Sequence, residues 1–310
     1  MNAGIDEDGP NREDLKKMNL FLSEDFAVLL GLKRSAINDG RSDLTEEERI
    51  FCLARVYLPR NAIESEEQQE IVWSRFCALY LPATIDRFIN PPKITSTKPE
   101  DVARFRIFNP CSEMLVATQH NAYFAKYLRS KNVLAANGKI LPRVVAERVA
   151  ELGFAWEPEL RNPSVDGLVD CYKSLLGSAV QLLSTLCAAF IKEDDQDVVV
   201  PKALRDKLKP LMKTWAQRYE RQFFGDVSLR VWGLWSPELG NGWLGEEAKK
   251  VRKRSLNWEI CGLPGCQVKT GLKACGKCQT VRYCNPEHQR THWKYPFGAQ
   301  HSQMCHRTEY

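Results

Sequence analysis

Residues 261–305 read CGLPGCQVKTGLKACGKCQTVRYCNPEHQRTHWKYPFGAQHSQMC, and this stretch decides how the end of the chain folds. With the five residues after it, it holds six of the eleven cysteines (Cys261, Cys266, Cys275, Cys278, Cys284, Cys305) and four of the five histidines (His288, His292, His301, His306). The segment is rich in Gly and Lys and poor in Leu and Ile, so it has little apolar surface to bury. Below about 40 residues a fold usually needs metal or disulfides in place of a core. Eight Cys and His groups are enough to close two tetrahedral zinc sites.

The ligand-type residues fall into four pairs: Cys261 with Cys266, Cys275 with Cys278, Cys284 with His288, and His301 with Cys305. Zinc takes four N or S ligands, and a pair two to four residues apart lets one turn grip one ion. Gly276 permits the tight turn between Cys275 and Cys278. Cys284 and His288 share a helix face if helical, as do His301 and Cys305. Spacing alone allows sequential or interleaved pairing of the four. His292, one helical turn from His288, and His306, beside Cys305, are alternative ligands. Thiolate is the better zinc ligand at 305.

The run Cys275-Gly-Lys-Cys-Gln-Thr-Val-Arg-Tyr-Cys284, followed by His288-Gln289 and Trp293, resembles the MYND zinc finger, in particular fungal variants. That resemblance implies interleaved ligands: one zinc on Cys261, Cys266, Cys284 and His288, a second on Cys275, Cys278, His301 and Cys305. It puts His292 at a position commonly acidic in the family, which reads as a surface residue. Three features depart from the usual pattern. The Cys261–Cys266 pair is more widely spaced, His288 stands where a cysteine is usual, and seven residues, Lys294 to Gln300, separate Trp293 from His301. Pro296 and Gly298 suit a loop there. In peptide-binding members of the family, proline-containing segments dock beside the helix with the Gln and Trp. This implies Gln289 and Trp293 as partner-binding residues, with Tyr283 nearby.

The rest of the chain reads as soluble and globular. Hydrophobic residues make up 44% and charged residues 27% of the 310, and the net charge of +5 is mild. Residues 1–17 are polar and acidic without an apolar run, unlike a secretory signal. The expectation is an intracellular protein, nuclear or cytoplasmic, whose thiols are metal ligands or buried hydrophobes rather than disulfides. Cys52, Cys77, Cys111, Cys171 and Cys187 are isolated, mostly in apolar surroundings. The most apolar run, Leu175 to Ile191, is short for a membrane span and carries Ser178, Gln181, Ser184 and Thr185. It reads as a core helix, and no membrane partner is expected.

Helical periodicity dominates before the finger, and the expected class is mainly α: a helical bundle or irregular helical array with a small C-terminal zinc-stabilised finger. The organisation is a flexible leader over 1–12, a helical domain of unknown function over 13–255 and the MYND-like finger over 256–310. Expected helices begin at Asp43 with a capping-box pattern and end at Pro59. Glu64 to Ile89 carries Ile71, Val72, Phe76, Leu79 and Tyr80 at helical spacing, with Pro82 kinking or splitting it. Ser112–Leu128 is one amphipathic stretch. Pro142 is a first-turn proline and Gly153 a stop. Leu168 to Ile191 is a long buried helix, and Pro201 opens another running to about Phe224. Residues 231–243 are irregular, and 246–256 are helical and basic.

Closed four-ligand zinc sites imply folding rather than catalysis by the metal. The favoured function is a zinc-binding protein whose finger is a protein–protein interaction module, as adaptor or regulator, taking a protein or a proline-containing peptide. The second reading is a nuclear, transcription-related protein contacting DNA through Lys249-Lys250-Val251-Arg252-Lys253-Arg254. The third is an unrecognised enzyme in the helical body. No catalytic residue is assigned: the Asn-His-Ser-Cys and Gly-Glu-Glu signatures of finger-bearing lysine methyltransferases find no suitable setting. His120 and Cys111 fall on opposite faces of a helix, and no Gly-rich phosphate loop or Gly-x-Ser-x-Gly occurs.

Overall fold

The computed structural model describes residues 22–34, 44–45, 63, 65–92, 110–164, 168–190, 199–236 and 260–310. The expected leader, the helices expected over 43–58 and 246–256, and the basic run at 249–254 lie outside these residues, apart from 44–45.

The described residues are mainly helical, as the periodicity leads one to expect. After a helical segment over 22–29, the elements are α1 (Glu66–Ile89), α2 (Pro110–Thr118), α3 (Ala122–Arg129), a 3-10 turn (Val133–Ala135), α4 (Ala136–Arg161), α5 (Leu168–Phe190), α6 (Lys202–Arg218) and α7 (Phe223–Trp235). The finger adds β1 (Lys273–Ala274), β2 (Arg282–Tyr283), α8 (Pro286–Trp293) and α9 (His301–Met304). The packing runs in sequence order: α1 against α2, α3 and α4, α4 against α5, and α5 against α7, which pairs with α6.

The start of α1 follows from Ser65, whose hydroxyl accepts from the Gln68 N–H at 3.1 Å, with Glu66 and Glu67 complementing the helix dipole. Ile71, Val72, Phe76, Leu81, Ile85 and Phe88 bury one broad face, but Leu79 is 45% exposed. Pro82 does not split the helix, which is assigned continuously through it. The packed face outweighs the one hydrogen bond that proline removes.

Several other boundaries differ from the sequence reading. The stretch 112–128 is two helices, because Asn121 caps α3 by accepting from the Tyr123 N–H at 3.0 Å. The helix around Pro142 is α4, which begins six residues earlier and runs past Gly153 with Pro142 and Pro158 inside it. Gly153 is there for packing, not termination: a Cβ would meet Trp215 Cη2 at 2.7 Å and Leu211 Cδ2 at 2.9 Å. The helix after Pro201 ends at Arg218. The turn that follows takes Arg221 to φ 65° and brings Gly225 so close to the Tyr219 carbonyl that a Cβ would lie 2.0 Å from its oxygen. The chain then re-enters a helix, so 231–235 is helical rather than irregular. The long buried helix holds as α5, with Leu176, Val180, Leu183 and Leu186 fully buried.

The body and the finger share one hydrophobic cluster. The residues after α9 run across the body. The Tyr123 hydroxyl donates to the Met304 carbonyl at 2.7 Å and accepts from the His306 N–H at 2.6 Å. Lys126 Nζ donates to the Cys278 carbonyl at 3.1 Å and to Thr308 Oγ1 at 2.6 Å. Asn132 holds the Glu309 carbonyl at 2.6 Å. The Tyr310 ring lies edge-on to Tyr127 at 5.1 Å.

Candidate metal centre

Two local structures carry the ligands. The antiparallel pair β1–β2, with Lys273 opposite Tyr283 and Ala274 opposite Arg282, closes a tight turn through Cys275 and Cys278. The Cys275 N–H reaches the Val281 carbonyl at 2.8 Å and the Gln279 N–H reaches the Cys275 carbonyl at 3.0 Å, with Gln279 at φ 61°. The loop 261–268 lies against the same ribbon through the Gly262 N–H and the Arg282 carbonyl at 2.7 Å. A Cβ on Gly262 would sit 2.1 Å from Val281 Cγ1, so any larger residue there would have to displace that side chain. Asn285 caps α8 by accepting from the His288 N–H at 2.8 Å, and Pro286 begins the helix. This places His288 one turn beyond Cys284. The short helix α9 presents His301 at its start and Cys305 just past its end.

The ligand-type atoms converge on two points. Cys261, Cys266, Cys284 and His288 form one group and Cys275, Cys278, His301 and Cys305 the other, each with its four ligand atoms within 4.8 Å of one another. The pairing is interleaved, so the geometry decides between the two orders that spacing left open. The first group is partly exposed and the second is wholly buried.

The spacings fit zinc. Tetrahedral coordination with Zn–S near 2.3 Å and Zn–N near 2.05 Å puts neighbouring sulfurs about 3.8 Å apart and sulfur and nitrogen about 3.5 Å apart. In the first group Cys266 and Cys284 Sγ are 3.9 Å apart, and His288 Nδ1 lies 3.5 Å from Cys261 Sγ and 3.2 Å from Cys284 Sγ. In the second, Cys275 and Cys305 Sγ are 3.7 Å apart, and Cys278 Sγ lies 3.7 Å from His301 Nε2. Both groups therefore fit zinc as the edges of tetrahedra.

The charges call for a cation as well. The thiols Cys278 and Cys305 hold Cys275 far below the usual thiol range, while Cys275 and then Cys278 drive Cys305 far above it. Three thiolates cannot share one buried point without a compensating charge. Burial disfavours a charged His301, but Cys275 and Cys278 outweigh it and lift its pKa to about 9. In the first group burial opposes ionisation of Cys261, yet the backbone of Cys284 and Leu263 and the His288 side chain bring it down to about 7. A bound zinc ion replaces these protons and closes each loop of chain covalently.

The other histidines take no place in either group. His292 is not the surface residue that the sequence suggests. It is 7% exposed, its Nδ1 lies 2.9 Å from the Tyr283 hydroxyl, and its ring stacks on His301 at 5.6 Å. Burial, then the neighbouring His301, push its pKa down to about 4. His306 turns its backbone N–H to Tyr123. Tyr283 is itself buried at 2% exposure. Gln289 Nε2 lies 3.7 Å from Cys275 Sγ, and Trp293 is half-buried with its ring edge-on to His301 at 5.7 Å. Sequence reasoning did not find Tyr123 and Lys126, the body residues that hold the finger, because nothing in their local pattern distinguishes them from other amphipathic helix positions.

Within the body, the cavity lined by Phe88, Val116, Arg148 and Leu182 is only about 10 Å³, space for one water at most. Cys111 is buried in α2 and His120 is exposed beyond its end, so the two do not form a nucleophile pair. Among the described residues, no helix is long and apolar enough to cross a membrane.

Comparison with known proteins agrees with the geometry over this segment. Residues 261–305 match the family model of the MYND finger. No curated protein and no solved structure gives a significant match to the chain.

Proposed function

We propose that the chain is an adaptor or regulator: a helical body over 13–255 carrying, over 256–310, a zinc-stabilised finger that contacts other proteins. Both ligand groups are complete with four protein atoms, which leaves no coordination position for a substrate. The metal then supplies fold, and the finger's exposed surface supplies function. The contact surface on this reading is the α8 face with Gln289 and the half-buried Trp293, backed by Tyr283, and its ligand is a proline-containing peptide. The observation that carries the reading is the match of 261–305 to the MYND finger with its complete ligand set. A reducing compartment, nucleus or cytoplasm, belongs to the same reading, because thiols that serve as metal ligands must stay reduced.

The test is an NMR titration of the zinc-loaded full chain with short proline-containing peptides. The Trp293 indole signal, assigned by its loss in Trp293→Phe, and the Gln289 side-chain amide should shift and saturate. If both stay fixed for every peptide while zinc remains bound, the reading fails.

A further inference from the structure

The seven-residue insertion between Trp293 and His301 contributes no metal ligand, yet it is shaped. Gly298 adopts φ 145°, and the Tyr295 and Phe297 rings meet edge to face at 6.0 Å. Phe297 is 83% exposed, a costly place for a large apolar ring unless something covers it. The loop forms one lip of a cleft of about 670 Å³ between the finger and the body. Glu66 and Glu70, from the first turns of α1, line the same cleft, with Trp73 also in the lining.

The charge of this cleft opposes that of the chain. The protein carries a net charge of +5, yet among the described residues that line the cleft there is no Lys or Arg. Among the described residues neither Glu66 nor Glu70 has a cationic partner, whereas Glu24 nearby is paired with Lys33 and Arg75. The Trp73 side chain is independent of these carboxylates. It is 4% exposed, and its indole N–H has no acceptor among the described residues. A buried donor without an acceptor is costly, and one that lines a cleft is matched by a carbonyl arriving with a ligand. Carboxylates facing exposed aromatic rings suit a cationic side chain with an apolar stem.

We propose that this cleft binds a peptide segment of a partner protein that presents a lysine or arginine beside an apolar residue. The cation sits between Glu66 and Glu70 and the Tyr295 and Phe297 rings, and a main-chain carbonyl accepts from Trp73. This surface is separate from Gln289 and Trp293, so it stands whether or not α8 binds proline-containing peptides.

Fluorescence anisotropy on the zinc-loaded full chain tests it, with short labelled peptides carrying a central Arg or Lys between apolar residues and counterparts with central Glu or Ala. The basic peptides should saturate and the others should not. The double variant Glu66→Gln/Glu70→Gln should weaken binding about tenfold, the effect of losing two exposed charge pairs. Phe297→Ala should weaken it about threefold. Glu147→Gln, on the exposed side of α4, should change nothing. Circular dichroism and zinc content establish that each variant is folded. Equal binding of Glu-centred peptides, unchanged affinity in the folded double variant, or no saturable binding of any basic peptide overturns the proposal.

Discussion

The hydroxyl of Tyr310 donates to the main-chain carbonyl of Cys77 across 2.9 Å and 233 positions of sequence. Cys77 lies on the buried face of α1, and Tyr310 follows Cys305, a ligand of the buried metal group, by five residues. The order imposed by the metal therefore passes directly into the body. The finger is docked against the helices rather than hung from them.

Tyr123→Phe tests this docking at its centre. The substitution removes the hydroxyl that serves both the Met304 carbonyl and the His306 N–H. Leaving such groups without partners costs about 1–3 kcal/mol. Zinc should leave the variant faster under a chelator, and hydrogen exchange at His306 should accelerate while α5 stays protected. Chelation kinetics identical to the parent's would show that the docking does not support the metal centre.

Gly153→Ala separates packing from helix propensity. Replacing a mid-helix glycine by alanine favours the helix by about 1 kcal/mol. Here the added methyl would lie 2.7 Å from the fully buried Trp215, whose indole is fixed by Glu157 Oε2 at 2.7 Å. Overpacking costs about 1–3 kcal/mol, so the net effect should be a loss of about 1 kcal/mol. Urea denaturation measures it, and a gain in stability would mean that α6 yields without strain.

Glu24 gives the leading helical segment a pH dependence. Burial raises its carboxyl pKa, but Lys33, Tyr80 and Arg75 outweigh that and hold it below the ordinary 4.5. A depressed carboxylate stabilises the fold above its unfolded value and loses that contribution as pH falls through the folded one. Hydrogen exchange over residues 22–29 should therefore accelerate relative to Glu24→Gln as the pH drops below 4.5. Parallel profiles for the two proteins would remove Glu24 from that role.

The metal ligands were legible because tetrahedral coordination imposes short, repeated spacings, and Cys275-x2-Cys278 and Cys284-x3-His288 display them. Their interleaving was implied by resemblance alone until the ribbon brought Cys261 beside His288. The class of the body was legible from residues such as Ile71, Val72 and Phe76 at helical spacing. Its breaks were not. Asn121 is an ordinary polar residue until its side chain turns to cap α3, and Gly153 signals a stop unless the position of Trp215 is known. His292 was misread for the same reason. Its partner Tyr283 comes from a strand nine residues away, and no helical periodicity reports that contact.

Zinc content per chain, measured by elemental analysis on purified protein and on single histidine variants, tests the central claim most directly. Two zinc ions per chain are expected, with one lost in each of His288→Ala and His301→Ala and both kept in His292→Phe and His306→Ala. A parent protein holding one ion or none, or a stoichiometry that falls with His306 rather than His301, would contradict the interleaved pair of closed sites.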